Sequence, residues 1–271
     1  MSVIIDPSTR KKPVALVKNN IVYEQPLNER MRIFLRLESL TYEAAHNLQR
    51  RSAWDSRATL HSVLDISAIV SRADLKTEVI KELERQAANL SRLEDKPGID
   101  QRRLAGILDQ LDILKDRLHS ITGPVGQEVR ENDFLKSVMQ RSSVPGGTCH
   151  FDLPAYHLWL QQPAEHRIRD LERWIGAFEP LTLSIALILR LVRDSTDARA
   201  ATAIDGFYQQ TLDTSVPYQM IRAFVPAEFP YFAEISGGKH RFTVRFMRQN
   251  LNERAVQVAE NIDFELACCV V

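Results

Sequence analysis

Apolar and polar positions alternate along this chain with two periods, and the change of period divides it. After a short run of strand formers, Ile21-Val22-Tyr23-Glu24, stopped by Pro26, a helical spacing begins at Asn28, with Met31, Phe34, Leu35, Ala45 and Leu48 recurring on one side. A second helix is predicted from Asp55 or Ser56, both good N-caps, with Leu60, Val63, Leu64 and Val70 inward. A third runs from Asp74 to about Leu93, and a fourth starts at Asp100 after the break Lys96-Pro97-Gly98. In the fourth, Leu104, Ile107, Leu111, Leu114, Leu118 and Ile121 alternate in steps of three and four, the spacing of a heptad seam. The third carries a weaker seam of Val79, Leu83, Leu90 and Leu93, interrupted by Gln86. The short linker between the two predicts an antiparallel αα-hairpin whose outer face, with Lys81, Glu82 and Arg85, is solvated. A shorter helix follows over Asn132–Arg141. Two more open on prolines, at Pro163 and Pro180, and the last is apolar nearly all round to Val192, as a central buried helix requires.

Period two dominates elsewhere. Cys149, Phe151 and Leu153 alternate with His150 and Asp152, and the segment from Cys149 to Leu160 reads as a strand bent near Pro154. From about Thr202 strands continue to the end: Ile204–Leu212, Tyr218–Val225, Phe229–Ser236, Lys239–Arg248 and Ile262–Val270. The Gly237-Gly238 pair between two of these runs is a hairpin signal. The pattern predicts an α+β fold: a helical domain with an antiparallel αα-hairpin, and an antiparallel β-sheet domain. The expected boundaries are a flexible N-terminal arm over 1–20, a helical domain from 27–144 plus 163–196, and an interleaved β domain from 21–26 plus 148–161 plus 202–271. There is no internal repeat.

Composition narrows the function. The 271 residues carry 35 basic and 35 acidic side chains, so the chain lacks the basic excess of a dedicated nucleic-acid binder. The three cysteines, Cys149, Cys268 and Cys269, have no zinc spacing and read as reduced thiols. No apolar signal region and no run of about 20 apolar residues is present, which implies a cytoplasmic protein. No nucleophile motif, phosphate-binding glycine loop, cofactor motif or metal cluster stands out. His150 and His157 flank Asp152, but on a straight strand they point to opposite faces. The expectation is therefore no enzyme, no cofactor and no metal.

The feature that remains is the strand after the glycines. Phe242, Val244 and Phe246 share the face that can enter a core. Lys239, Arg241, Thr243, Arg245 and Met247 share the other. A charge run on a sheet face is ordinarily solvated, but cations interleaved with Met247 and Thr243 suit a peptide carrying both acidic and apolar residues. A nucleic-acid-binding module using the same face is the alternative reading. On the first helix Arg32 and Arg36 stand one turn apart, with Glu29 placed to offset their repulsion.

Several separate blocks in this order resemble a known family. Tyr23–Arg32 with Leu35-Arg36-Leu37-Glu38, Lys81–Gln86, Pro145-Gly146-Gly147, Cys149–Pro154 through His157–Leu160, Gly206–Gln209, Arg241–Met247 and Asp263–Cys269 are similar to the ZapD family of bacterial cell-division factors. The resemblance spans about residues 21 to 269. It implies a cytoplasmic protein at the midcell division ring that binds the C-terminal tail of the tubulin-like FtsZ. It also implies a symmetric homodimer that bundles FtsZ filaments and supports Z-ring assembly, with no membrane or nucleic-acid partner. The family's basic binding surface maps onto Lys239, Arg241 and Arg245, and further onto Arg36, Arg72 and His157. Two departures stand out: a longer N-terminal arm, and Asp133 where some relatives carry a basic residue.

Overall fold

The computed structural model describes residues 19–71, 74–94, 96–250 and 252–270. The expected arm up to residue 18, and Arg72, lie outside the described residues. The fold is α+β, and the chain divides into two compact units, each with its own core.

The larger unit is helical and holds Pro26–Thr196, Pro217–Gln219 and residues 269–270. Its helices are α1 (Glu29–Leu48), α2 (Ala53–Val70), α3 (Leu75–Ser91), α4 (Gln101–Ser120), α5 (Gln127–Glu131), α6 (Asp133–Ser142), α7 (Pro154–Gln161), α8 (Ala164–Gly176) and α9 (Glu179–Asp194). Side-chain caps start most of the long ones. Asn28 accepts from the Met31 amide, Asp74 from Thr77 and Asp100 from Arg102 and Arg103. Helix α2 begins earlier than expected because Ser52 is the cap. It forms a reciprocal capping box with Asp55, and those hydrogen bonds hold the Asp55 carboxyl below its usual range.

Helix α9 packs on α1, α3 and α4 and buries Leu181, Ile185, Ile188, Leu189 and Val192 among them. The α3–α4 hairpin forms, but its seam is unequal. Leu104, Leu111 and Leu118 are buried while Ile107, Leu114 and Ile121 remain half-buried. Glu82 is not on a solvated face, as the spacing suggested. It is fully buried, takes two hydrogen bonds of 2.6 and 2.7 Å from Arg85 and one of 3.1 Å from Gln86, and pairs with Arg30 at 3.2 Å. The Gln86 that interrupts the apolar seam is thus a partner of a buried carboxylate, which is why a polar residue is tolerated there.

The expected strand Cys149–Leu160 is a turn followed by helix α7, and it belongs to the helical unit rather than to the β domain. Pro154, read as a bend in a strand, is the first helical residue, where its missing N–H costs nothing. Tertiary packing overrides the alternation. Tyr156 is buried with Phe134, Trp159 and Trp174, and a strand would turn every second one of its neighbours away from that cluster.

The smaller unit comprises the described part of Met1–Gln25, Asp197–Val216 and Met220–Cys268. Instead of one sheet it forms two. Strands β1 (Asn20–Pro26), β4 (Met220–Pro226), β8 (Ile262–Cys269) and β2 (Arg199–Ala203) lie in the order β1-β4-β8-β2. In the second sheet β6 (Arg241–Arg248) is central between β3 (Phe207–Thr211) and β5 (Phe232–Gly237), and also pairs with β7 (Val256–Gln257). The sheets face one another through rings: Phe264 of β8 meets Phe246 of β6 at 5.1 Å and Tyr208 of β3 at 5.5 Å.

The single run Ile204–Leu212 expected from periodicity is interrupted by a two-residue turn, Asp205-Gly206, which joins β2, ending at Ala203, to β3. Both residues have positive φ, 48° and 68°, the geometry of a type I′ hairpin. Gly206 is required there on a second count: a Cβ would stand 2.3 Å from the Val258 carbonyl oxygen. The Asp-Gly pair between two runs of strand formers is itself the local sequence signal of this turn.

Candidate functional site

The alternation along β6 holds in three dimensions. Phe242, Val244 and Phe246 are buried, and Arg241 and Arg245 are exposed. Because β6 is the middle strand, its outward cations are fixed by ladders on both sides. Arg241 stands opposite Thr211 of β3, and Arg245 opposite Phe207 of β3 and Glu234 of β5. Lys239, expected to open the strand, lies instead in the loop Lys239-His240 that precedes it. The Gly238 amide donates to the Arg241 carbonyl at 3.0 Å and closes that loop. Gly237 ends β5 and neither glycine of the pair has a positive φ, so the hairpin lies where the pair announced it without using glycine's special conformation.

Lys239, Arg241 and Arg245 line one open hollow of about 560 Å³, together with Gln209, Ser236 and Thr243. Among the described residues none of the three cations forms an ion pair. Glu234, although directly across from Arg245, makes no salt bridge with it. Other arginines in the same unit are paired: Arg222 with Glu24 at 2.9 Å and Arg248 with Glu260 at 3.1 Å. The hollow thus gathers three cations that form no ion pair, with Glu234 across the ladder from one of them. Sequence reasoning found the cations of β6 but missed Gln209, Phe207 and Glu234, which arrive from β3 and β5. Their outward positions follow from register, and register is not local information.

Of the remaining expected residues, Arg36 and His157 belong to the helical unit. Arg36 is exposed on α1; its neighbour Arg32 pairs with Glu29 at 3.2 Å, as the spacing required. His157 is exposed on α7, and its ring centroid lies 5.6 Å from that of His150 in the preceding turn. The two histidines therefore do not face opposite ways, because the segment is helical. Asp133 is exposed and pairs with Lys136 at 3.2 Å. Among the described residues no three His, Cys, Asp or Glu side chains converge as a metal ion requires. No single described helix is long and apolar enough to cross a membrane.

A family model described as a cell division protein, ZapD, matches residues 35–245 of this α+β chain. The chain belongs to the ZapD family. It is 47% identical over 255 residues to the cell division protein ZapD of Methylococcus capsulatus (strain ATCC 33009 / NCIMB 11132 / Bath), a match covering 94% of this chain and 100% of that protein. It is 41% identical over 256 residues to the proteins of that name from Coxiella burnetii strains RSA 331 and RSA 493, covering 94% of this chain and 99% of theirs.

Proposed function

We propose that this cell-division protein binds the C-terminal tail of FtsZ in the hollow formed by Lys239, Arg241 and Arg245, and that as a homodimer it crosslinks FtsZ filaments into bundles at the midcell ring. The observation that carries the reading is that Arg241 and Arg245 on the sheet face, and Lys239 in the loop before it, are exposed and form no ion pair. Each can form a charge-assisted hydrogen bond to a carboxylate without first breaking an internal one. Met247 and Phe232, directly opposite each other, add half-buried apolar surface beside the cations, which suits a tail with apolar as well as acidic residues. Arg36, Arg72 and His157 are supplementary contacts in the same reading.

A single tail on three exposed cations binds weakly and loses affinity as salt screens the charges. Two such faces per dimer, meeting many tails along a filament, raise apparent affinity by about 10²–10⁴ with no new contact. The test is fluorescence anisotropy of a labelled FtsZ tail peptide at low and moderate salt. Saturable binding that weakens with salt, and is abolished by Arg241→Glu with Arg245→Glu in a folded protein, is the expected result. Binding unchanged by the double charge reversal overturns the assignment of the site.

A further inference from the structure

We infer that Glu234 is a specificity-determining residue of the β6 face, and that the face reads an order of charges along a bound peptide. Carboxylates belong at the Lys239–Arg241 end, a cation beside Glu234, and an apolar side chain over Met247 and Phe232. The inference rests on the proposed reading that this face binds a peptide tail, and it deepens that reading by naming the class of peptide.

The outward side chains along β6 are not uniform. Arg241 comes first, opposite the neutral Thr211 of β3, and Lys239 stands in the loop before it. Thr243 follows, flanked by Gln209 of β3 and Ser236 of β5. Next is Arg245, with Phe207 on one side and Glu234 on the other. Last comes Met247 opposite Phe232, both half-buried. The row therefore changes along its length from cationic, through neutral polar, to mixed charge and then to apolar.

Glu234 is the member of this row that a simple basic patch does not explain. It is exposed, and it stands directly across the ladder from Arg245. Side chains so placed on one face have Cβ atoms about 4.5–5.5 Å apart, close enough to pair, yet no ion pair forms between them. Two consequences follow for a ligand. The Glu234 charge opposes that of Arg245, so a carboxylate arriving there gains less than one arriving at Arg241 and Lys239. At the same time the Glu234 carboxylate is an acceptor held open for a cation that the ligand itself brings. A uniform polyanion, such as a nucleic-acid backbone, meets the repulsion and gains nothing from the acceptor, so Glu234 selects against it.

Spacing turns this order into a ligand class. At about 3.4 Å per residue, Arg245 lies ~14 Å and Met247 ~20 Å along the strand from Arg241. The fitting peptide is about seven extended residues long, acidic at one end, cationic past its middle and apolar at the other end. Strand β6 is central and both its ladders are in use, so a ligand cannot add a strand to it. Recognition is by side chains, and their order carries the selectivity.

The experiment is fluorescence anisotropy with the full chain, wild type beside Glu234→Gln and Glu234→Lys, each checked for folding by circular dichroism. The probes are the FtsZ tail peptide and two designed peptides of one length and composition. The first carries a pair of aspartates, then lysine, then leucine, with serine spacers matching the row. The second exchanges the lysine and the aspartate pair. The wild type is expected to bind the first roughly 3–5-fold more tightly than the second, a difference that shrinks as salt is raised. Glu234→Gln should erase the preference and Glu234→Lys should reverse it. Equal affinity of the wild type for the two orders overturns the inference, and this comparison needs no variant to fold. Variants that shift both peptides by the same factor overturn it too, since that is a general change of field. Failure of the FtsZ tail to bind while the order preference persists overturns only the FtsZ assignment. Tail binding with no order preference overturns only the role of Glu234, and failure of every peptide to bind overturns both.

Discussion

The arginines of the helical unit and those of the β6 face are the same residue put to opposite uses. In the helical unit Arg30 and Arg85 hold the buried Glu82 carboxylate, and Arg193 grips Glu38 through two hydrogen bonds of 2.7 and 2.6 Å. Arg167, itself buried, donates to the carbonyls of Arg51, Leu160 and Gln162 and to the Ser56 hydroxyl, tying α8 to the end of α7 and the start of α2. On β6, Arg241 and Arg245 have no such partners and lie on the solvent side of a core strand. An arginine that satisfies buried acceptors has few donors left for a ligand. One held in the open by a rigid strand keeps them all, so the second kind can recognise and the first kind can only hold.

That contrast can be broken in order of effect on stability. Glu82→Ala leaves two guanidinium groups around an empty buried site and should cost about 3 kcal/mol, a fall in Tm of roughly 6–12 °C by scanning calorimetry. An unchanged Tm means that water solvates the two guanidinium groups once the carboxylate is gone. Arg167→Met removes the donor to three carbonyls and should cost about 2 kcal/mol, visible in urea unfolding as a lower midpoint at constant slope.

Arg241→Ala with Arg245→Ala should change stability by no more than about 0.5 kcal/mol while removing tail binding. Loss of stability comparable to that of Arg167→Met would erase the distinction between the two regions. The smallest effect is a pH dependence. Burial and the nearby Arg57 charge lower the pKa of His61, against weaker opposition from Asp65 and Glu43. Its folded-state value lies below that of the unfolded chain, which therefore takes up the proton first. Stability is full above about pH 6.5 and declines as the pH falls through the folded-state value. His61→Gln should flatten that slope in a Tm-against-pH series.

The two units also differ in how far they could be read from the chain. Helices with steady apolar spacing and a local start signal, a side-chain cap for α1, α3 and α4 and Pro180 for α9, are legible because those signals lie within a few residues of one another. The β6 cations were legible for the same reason, since two-residue alternation needs no partner strand. Helix α7 was not: Tyr156 and Trp159 fit a strand's alternation equally well, and only their burial against Phe134 and Trp174 selects the helix. Helical spacing alone puts Glu82 on a solvated face because its partner Arg30 is supplied by α1, more than fifty positions away.

By itself, then, the sequence determined the α+β class, most helix starts and the row of cations on β6, all set by short-range spacing and side-chain chemistry. Family membership followed from ordered blocks along the same chain. Tertiary structure alone decided that the strands form two sheets and that Phe207, Gln209 and Glu234 join the cations. Those facts depend on register and packing between distant segments, where burial of apolar surface and satisfaction of buried polar groups outweigh local preference.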